Sequence, residues 1–283
     1  MVLAELQEAV RTTGRAPVLW VPGFVAGLLA ALLWILYNTY GTFFTSRLLI
    51  LAALVLVLCV AGTFALIRTG GTGAGELVRG GVQYYFRVLL PWIVITGALL
   101  LAFVLIMTVT IMTGGDSMDY SVTGFLAFLV MIPTLFVTFF CDTAAVFEDL
   151  GVFKSLRRSI GLVAGNAGAV LGFFVVCALL VFADVFVFAI VWEGLLYDKL
   201  APLAQYNETQ FAAVTPQQLI SMIGPDGMWV TAAVIFIALL FIVPLLLAYK
   251  ACFYRSMAGG QATPPPARQM SGEYDSKGRW YKY

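Results

Sequence analysis

The chain reads as an all-α polytopic membrane protein, with six transmembrane helices arranged as three hairpins, each preceded by a cytoplasmic interfacial amphipathic helix. Three observations predict this. Hydrophobic residues make up 61% of the 283 and charged residues 11%, where a soluble domain is nearer half and a quarter. Six stretches of twenty or more residues carry no charge at all. The basic residues gather on one side of those stretches.

The uncharged stretches are 16–46, 48–67, 88–115, 120–141, 159–183 and 227–249. Each supplies the ~20 residues that cross about 30 Å of hydrocarbon at a helical rise of about 1.5 Å per residue. Hydrocarbon offers no hydrogen-bond partners, so only helices or closed barrels satisfy the backbone there. The stretches lack the alternation of a barrel strand, which leaves helices. The expected spans are about 17–39, 46–67, 89–113, 121–145, 167–192 and 228–250. They form one domain over 1–257, with an extracytoplasmic loop at 193–227 and a flexible cytoplasmic tail at 258–283.

Lys and Arg set the orientation. With the N-terminus inside, all but Arg47 and Lys199 are cytoplasmic. The outer loops instead carry Asp116, Asp119, Glu193, Asp198, Glu208 and Asp226. The expected location is the cell membrane, multi-pass, with both termini in the cytoplasm.

Short segments before spans 1, 3 and 5 repeat the helical period. Leu3, Leu6 and Val10 share a face in the first; Val78, Val82, Tyr85 and Leu89 in the second; Phe153, Leu156, Ile160 and Val163 in the third. Basic side chains flank each face. Such a helix lies in the interface with its apolar side down and its cations at headgroup level. Arg79, Arg87, Lys154, Arg157 and Arg158 are therefore the expected contacts to anionic headgroups or to a partner protein.

Composition also excludes chemistry. There is no histidine, which removes His-based triads, bases and metal ligands. Cys59, Cys141, Cys177 and Cys252 lie in or beside apolar runs without a C-x-x-C pair, and read as buried small hydrophobes. A net charge of +1 gives no reason to expect nucleic acid. Gly70-Gly-Thr-Gly-Ala-Gly75 follows a membrane helix rather than a strand, so it is a connector and not a phosphate loop. No catalytic constellation, metal site or cofactor is expected, and the chain reads as a non-enzyme.

Four polar residues at membrane depth stand out. Asp184 falls well inside span 5, where a charged carboxylate costs roughly 2.5–3.5 kcal/mol on insertion scales. It must face the bundle, be neutral or have a partner. Asp142 near the inner end of span 4 differs from it in depth by about 20 Å, too far for a carboxylate dyad. Asp142 matches Lys250 and Arg255 at the end of span 6, and an ion pair is expected there. Arg47 snorkels to the outer surface. Pro133 and Pro244 kink spans 4 and 6. Gly161, Gly165, Gly168 and Gly172, with Ala164 and Ala167, are expected to allow close helix packing, inside the chain or between copies.

Outside the membrane, Thr215-Pro216 reads as the N-cap and first residue of a short helix. The tail opens on Gly259-Gly-Gln-Ala-Thr-Pro-Pro-Pro266, a linker composition. It ends Lys277-Gly-Arg-Trp-Tyr-Lys-Tyr283, a basic-aromatic stretch suited to headgroups or a partner.

Two segments carry a family resemblance. One is 147–172, beginning Phe147-Glu-Asp-Leu-Gly and containing Ser155-Leu-Arg-Arg-Ser159 and Gly165-Asn166. The other is 244–257, with Tyr249 and Tyr254-Arg255. They resemble prokaryotic, especially archaeal, multi-pass proteins of uncharacterised function, similar to the membrane domain that accompanies some glycerophosphodiester phosphodiesterases. The resemblance implies an architecture and no reaction, because the phosphodiesterase catalytic domain is absent. The expected function is that of a non-enzymatic integral membrane protein organising membrane or partner proteins through its basic interfacial helices, with a homo-oligomer possible. The alternative is a small-solute or ion transporter or channel subunit using Asp184.

Overall fold

A computed structural model gives the structure, which describes residues 2–114, 120–207, 209, 213–259, 272–274 and 280–282. The helices are α1 (Val2–Arg15), α2 (Val21–Tyr40), α3 (Thr42–Thr69), α4 (Ala74–Gly114), α5 (Tyr120–Thr138), α6 (Cys141–Phe147), α7 (Val152–Gly165), α8 (Ala167–Leu195), α9 (Tyr197–Leu200) and α10 (Pro216–Met257). Six helical segments are long and apolar enough to cross a membrane: Pro17–Tyr40, Thr42–Thr69, Ala74–Met112, Thr123–Phe147, Ala167–Leu195 and Gln218–Met257. The outer-loop acids Asp116, Asp119 and Glu208, and most of the tail, lie outside the described residues.

Two close helix crossings organise the bundle, and both rest on glycine. Against α10, a Cβ on Gly23 would fall 2.5 Å from the Leu240 carbonyl oxygen, and one on Gly27 would fall 2.5 Å from that of Phe236. This Gly-x-x-x-Gly spacing puts both on one face of α2 and lets the backbones touch. Between α3 and α4, Gly62 meets the Leu77 carbonyl and Gly81 meets that of Leu58 in the same way. The glycines expected to pack lie elsewhere. A Cβ on Gly161, Gly165 or Gly168 would meet open space, and one on Gly172 would touch only Val2. Within the chain that stretch is not a helix contact, because α7 turns into α8 at Asn166 without a helix laid against its small residues.

Several elements depart from the expected layout for local reasons. The segment expected before span 3 is not a separate helix; it forms the first turns of the 41-residue α4, whose Pro91 lies inside the helix without ending it. Span 4 breaks after Thr138 and resumes as the seven-residue α6. Thr215 caps α10 as expected, with reciprocal bonds to Gln218. That helix then turns sharply at Gly224, whose φ of 65° favours glycine, and Pro225 follows with its ring preset for a new helical start. In the tail, β1 (Gly272–Tyr274) pairs antiparallel with β2 (Trp280–Lys282), Gly272 opposite Lys282. The aromatic residues there favour a strand, which a linker composition upstream did not signal.

Burial is uneven along the bundle. Phe64, Phe140, Phe173, Tyr249, Phe253 and Tyr254 are almost fully buried at the end where α1, α6 and α7 lie. Phe173 stacks between Tyr249 and Phe253, with ring centroids 4.6 and 4.7 Å away. Towards the other end, α4, α5 and α8 leave Leu100, Val104, Phe125, Leu129, Phe182 and Phe186 exposed. Apolar side chains this exposed need lipid as their solvent. If the glycine crossing carries the packing, Gly27→Leu will lower the melting temperature in detergent, at a cost of about 1–3 kcal/mol or more. Gly161→Ala, with room for its methyl, will be neutral or stabilising by about 0.5–1 kcal/mol.

Candidate functional site

The chemistry-bearing residues converge where the chain is best packed. At its centre is α6, all seven residues of which are buried. A buried helix leaves unpaired N–H groups at its start and carbonyls at its end. Here the surrounding chain supplies the partners. Ser159 on α7 spans the break between α5 and α6: its Oγ donates to the Val137 carbonyl at 2.8 Å and accepts from the Phe140 N–H at 3.1 Å. At the other end the Arg68 guanidinium donates to the Val146 carbonyl at 2.7 Å and to the Tyr84 hydroxyl at 2.9 Å. The last turn also closes on itself, with Glu148 N–H bonded to the Ala144 carbonyl.

Asp142 sits in the first turn of α6 and is 3% exposed. Its Oδ2 accepts from Lys250 Nζ of α10 at 2.7 Å, and its Oδ1 accepts from the Thr143 N–H at 2.6 Å. A carboxylate at a helix N-terminus also meets the positive end of the helix dipole. Lys250, itself buried, holds its ammonium over the Phe139 ring at 4.1 Å, a cation–π contact. The pair links spans 4 and 6 as the depth match predicts. Arg255 does not share in it; it pairs with Glu8 on α1. A helical turn beyond Lys250, Arg255 lies past the buried zone and meets the N-terminal helix instead.

The five cations expected at headgroups divide in two. Arg158 bonds Glu148 through Nε at 2.8 Å, and Tyr254 of α10 donates to the same Oε1 at 2.6 Å. The Glu148 bond holds the Arg158 guanidinium above its ordinary pKa. Arg87 pairs with the Asp149 carboxylate and also donates to its carbonyl at 3.0 Å. Asp149 adopts a φ of 56°, a left-handed conformation that Asp tolerates, so Arg87 secures a tight turn into α7. These two cations hold the fold. Lys154, Arg157 and Arg79 are exposed and have no ion-pair partner among the described residues. Lys154, Arg157 and Arg158 line one side of an open cavity of about 400 Å³ completed by Glu148, Leu150 and Gly161.

The apolar faces divide as well. On α7, Ser155, Ser159, Leu162 and Val163 are buried, while Phe153 and Ile160 are exposed. On α1, Glu5, Ala9 and Thr13 are buried, and Leu3 and Val10 face outward. In each helix the buried side lies mostly beside the expected apolar stripe, sharing with it Val163 of α7. Burial of Glu5 could not be read from periodicity, and its Oε2 has no partner among the described residues.

Asp184 stands apart. It lies on the side of α8 that carries Phe173 and Trp192, and is half-buried. Phe173 packs on Tyr249, beside Lys250; Asp184 is eleven residues farther along α8, about 16 Å at the helical rise. The Asp142–Lys250 pair is therefore out of reach. Among the described residues no hydrogen bond or ion pair holds its carboxylate. Among the described residues no ion pair joins Arg47 to it, and Arg47 lies over the Phe43 ring at 4.0 Å. Cys59, Cys141 and Cys252 are buried. Among the described residues no cluster of three Cys, Asp or Glu side chains is placed to hold a metal ion.

The segments 147–172 and 244–257 thus meet in space through Glu148, Arg158 and Tyr254. The family described as a domain of unknown function, DUF7847, matches residues 1–257. The chain belongs to this family. The match takes in the ten described α-helices and ends where α10 ends. No curated protein and no solved structure matches the chain.

Sequence reasoning missed Glu148, Arg68 and Ser159. The signal for Glu148 was present: Glu148 and Asp149 are acids directly before a basic run. Arg68 and Ser159 carry no such signal, because their role depends on the buried ends of α6. Removing one partner of the buried pair strands the other. Lys250→Ala is expected to cost about 3–5 kcal/mol, and Asp142→Leu with Lys250→Met together much less. Arg255→Ala, whose partner is half exposed, should cost under about 1 kcal/mol. Thermal unfolding of the four proteins in one detergent ranks them.

Proposed function

We propose that this is a non-enzymatic integral membrane protein that organises membrane or partner proteins by gripping anionic headgroups with its basic end. The reading rests on the free cations Lys154, Arg157 and Arg79, which stand beside exposed apolar residues on the same helices. Phe153 and Ile160 on α7, and Val78 and Val82 on α4, offer side chains to the acyl boundary, while the cations sit at headgroup level. In this reading α1, α7 and the first turns of α4 are interfacial elements, each leading into a transmembrane hairpin. The basic end faces the cytoplasm, as the distribution of Lys and Arg requires, in the cell membrane. The resemblance to the membrane domain of glycerophosphodiester phosphodiesterases fits a lipid-facing role and carries no reaction.

The test separates the free cations from the fold-holding ones. In Lys154→Ala/Arg157→Ala/Arg79→Ala, each lost cation removes about 1 kcal/mol of attraction to an anionic surface. The variant is expected to melt like the wild type but to co-purify with much less phosphatidylglycerol, counted by mass spectrometry. Unchanged lipid retention together with unchanged partner pull-down would sink the reading. Arg158→Ala should behave oppositely, losing stability because it strands Glu148.

A second reading, a small-solute or ion transporter, is favoured by one observation: Asp184 lies at membrane depth without a partner among the described residues. An unpaired intramembrane carboxyl is a functional candidate by default. Asp184→Asn in proteoliposomes would abolish proton- or cation-coupled uptake on this reading. Equal dye-reported flux, or none from either protein, removes it.

A further inference from the structure

The opposite end of the bundle carries a second built feature. Where α8 meets α9 and the start of α10, a cavity of about 530 Å³ is lined by Trp192, Glu193, Tyr197, Leu200, Leu203 and Leu219, among others. That volume is within the usual ~300–1,000 Å³ of small-molecule sites. Its walls are held from behind. Leu196 is buried and anchors the turn between α8 and α9. Trp192 Nε1 donates to Thr231 Oγ1 at 2.8 Å, which fixes the indole against α10.

The charge arrangement there is selective. The neighbouring cation, Lys199, is engaged elsewhere: its Nζ donates to the Ile223 carbonyl at 2.8 Å and lies 3.5 Å from Asp226. Ile223 is the last residue before the Gly224 turn, so Lys199 caps the short outer part of α10. Glu193 is left exposed, with no ion pair among the described residues. Among the described residues the cavity thus combines one carboxylate, two aromatic rings and an aliphatic wall, without a cation of its own. An anionic head would be repelled, and a neutral hydrocarbon would leave Glu193 without a role. An ammonium group satisfies the carboxylate and is attracted to the faces of Trp and Tyr. An alkyl chain would lie on the leucines.

We propose that this cavity binds an amphiphile with an ammonium head and an alkyl chain. The site is independent of the headgroup-gripping surface at the basic end. Its occupant is either a membrane lipid with an ammonium headgroup or a free cationic amphiphile, and the shared chemistry is the alkylammonium.

The test uses the full chain in dodecyl maltoside, titrated with bromoundecyltrimethylammonium, whose bromine quenches nearby indoles. The chain has six tryptophans, so the readout is the difference between wild type and Trp192→Phe, and this Trp192-dependent quenching is expected to saturate. Its midpoint should rise about fivefold in Glu193→Gln and return in Glu193→Asp, with melting temperatures unchanged because Glu193 is exposed. Tyr197→Leu should also weaken binding, and provides an independent variant. Competition by phosphatidylethanolamine assigns the site to a lipid headgroup, and competition by free decyltrimethylammonium alone assigns it to a soluble amphiphile. Absence of a saturable Trp192-dependent component, a midpoint unaffected by Glu193→Gln, or equal competition by dodecyl sulfate overturns the proposal.

Discussion

The structure depends on burying a seven-residue helix that carries a carboxylate. Asp142 opens α6 at 3% exposure, and a lone charge there would be far too costly to keep. Lys250 neutralises it, the Thr143 amide bonds it, and the Phe139 ring faces the ammonium. Those contacts require α10 to lie against α6 in one register. Ser159 and Arg68 then complete the two ends of α6 and bring α7 and α3 to the same place. One desolvated ion pair thus sets the relative positions of four helices, because every polar group around it needs a partner.

The same logic sorts the basic residues of that end. Some cations are held by the chain itself, Arg68 by the buried Val146 carbonyl and Arg87 and Arg158 by the acids Asp149 and Glu148. A cation on the outer side of the same helix has only solvent or headgroups to meet, as with Lys154, Arg157 and Arg79. The basic residues of this end therefore divide into those bonded within the fold and those left exposed on its surface.

Packing is graded along the membrane normal. Aromatic rings fill the basic end, whereas α4, α5 and α8 present large apolar side chains outward farther along. In water this would be an aggregating surface. In lipid it costs little, because acyl chains solvate leucine and phenylalanine as well as a neighbouring helix does. What holds helices together in such a solvent is close backbone contact and polar bonding, which explains why Gly23, Gly27, Gly62 and Gly81 matter more than the larger apolar residues around them.

The amino-acid sequence by itself determined the class of the protein: six apolar helices, a basic end, an intramembrane Asp184, and the depth match of Asp142 with Lys250. These follow from composition, run length and the helical rise, which are properties of single segments. The tertiary structure alone decided which small residues are contacts, so that Gly23 and Gly27 pack while Gly161 and Gly165 face open space. It also decided that Glu148 binds Arg158 and Tyr254, that Arg255 turns to Glu8 instead of Asp142, and that span 4 breaks before α6. Each is a relation between segments distant in the chain. Periodicity marks the apolar stripe of a helix, but which side turns to protein and which to lipid depends on the neighbours, since both are apolar.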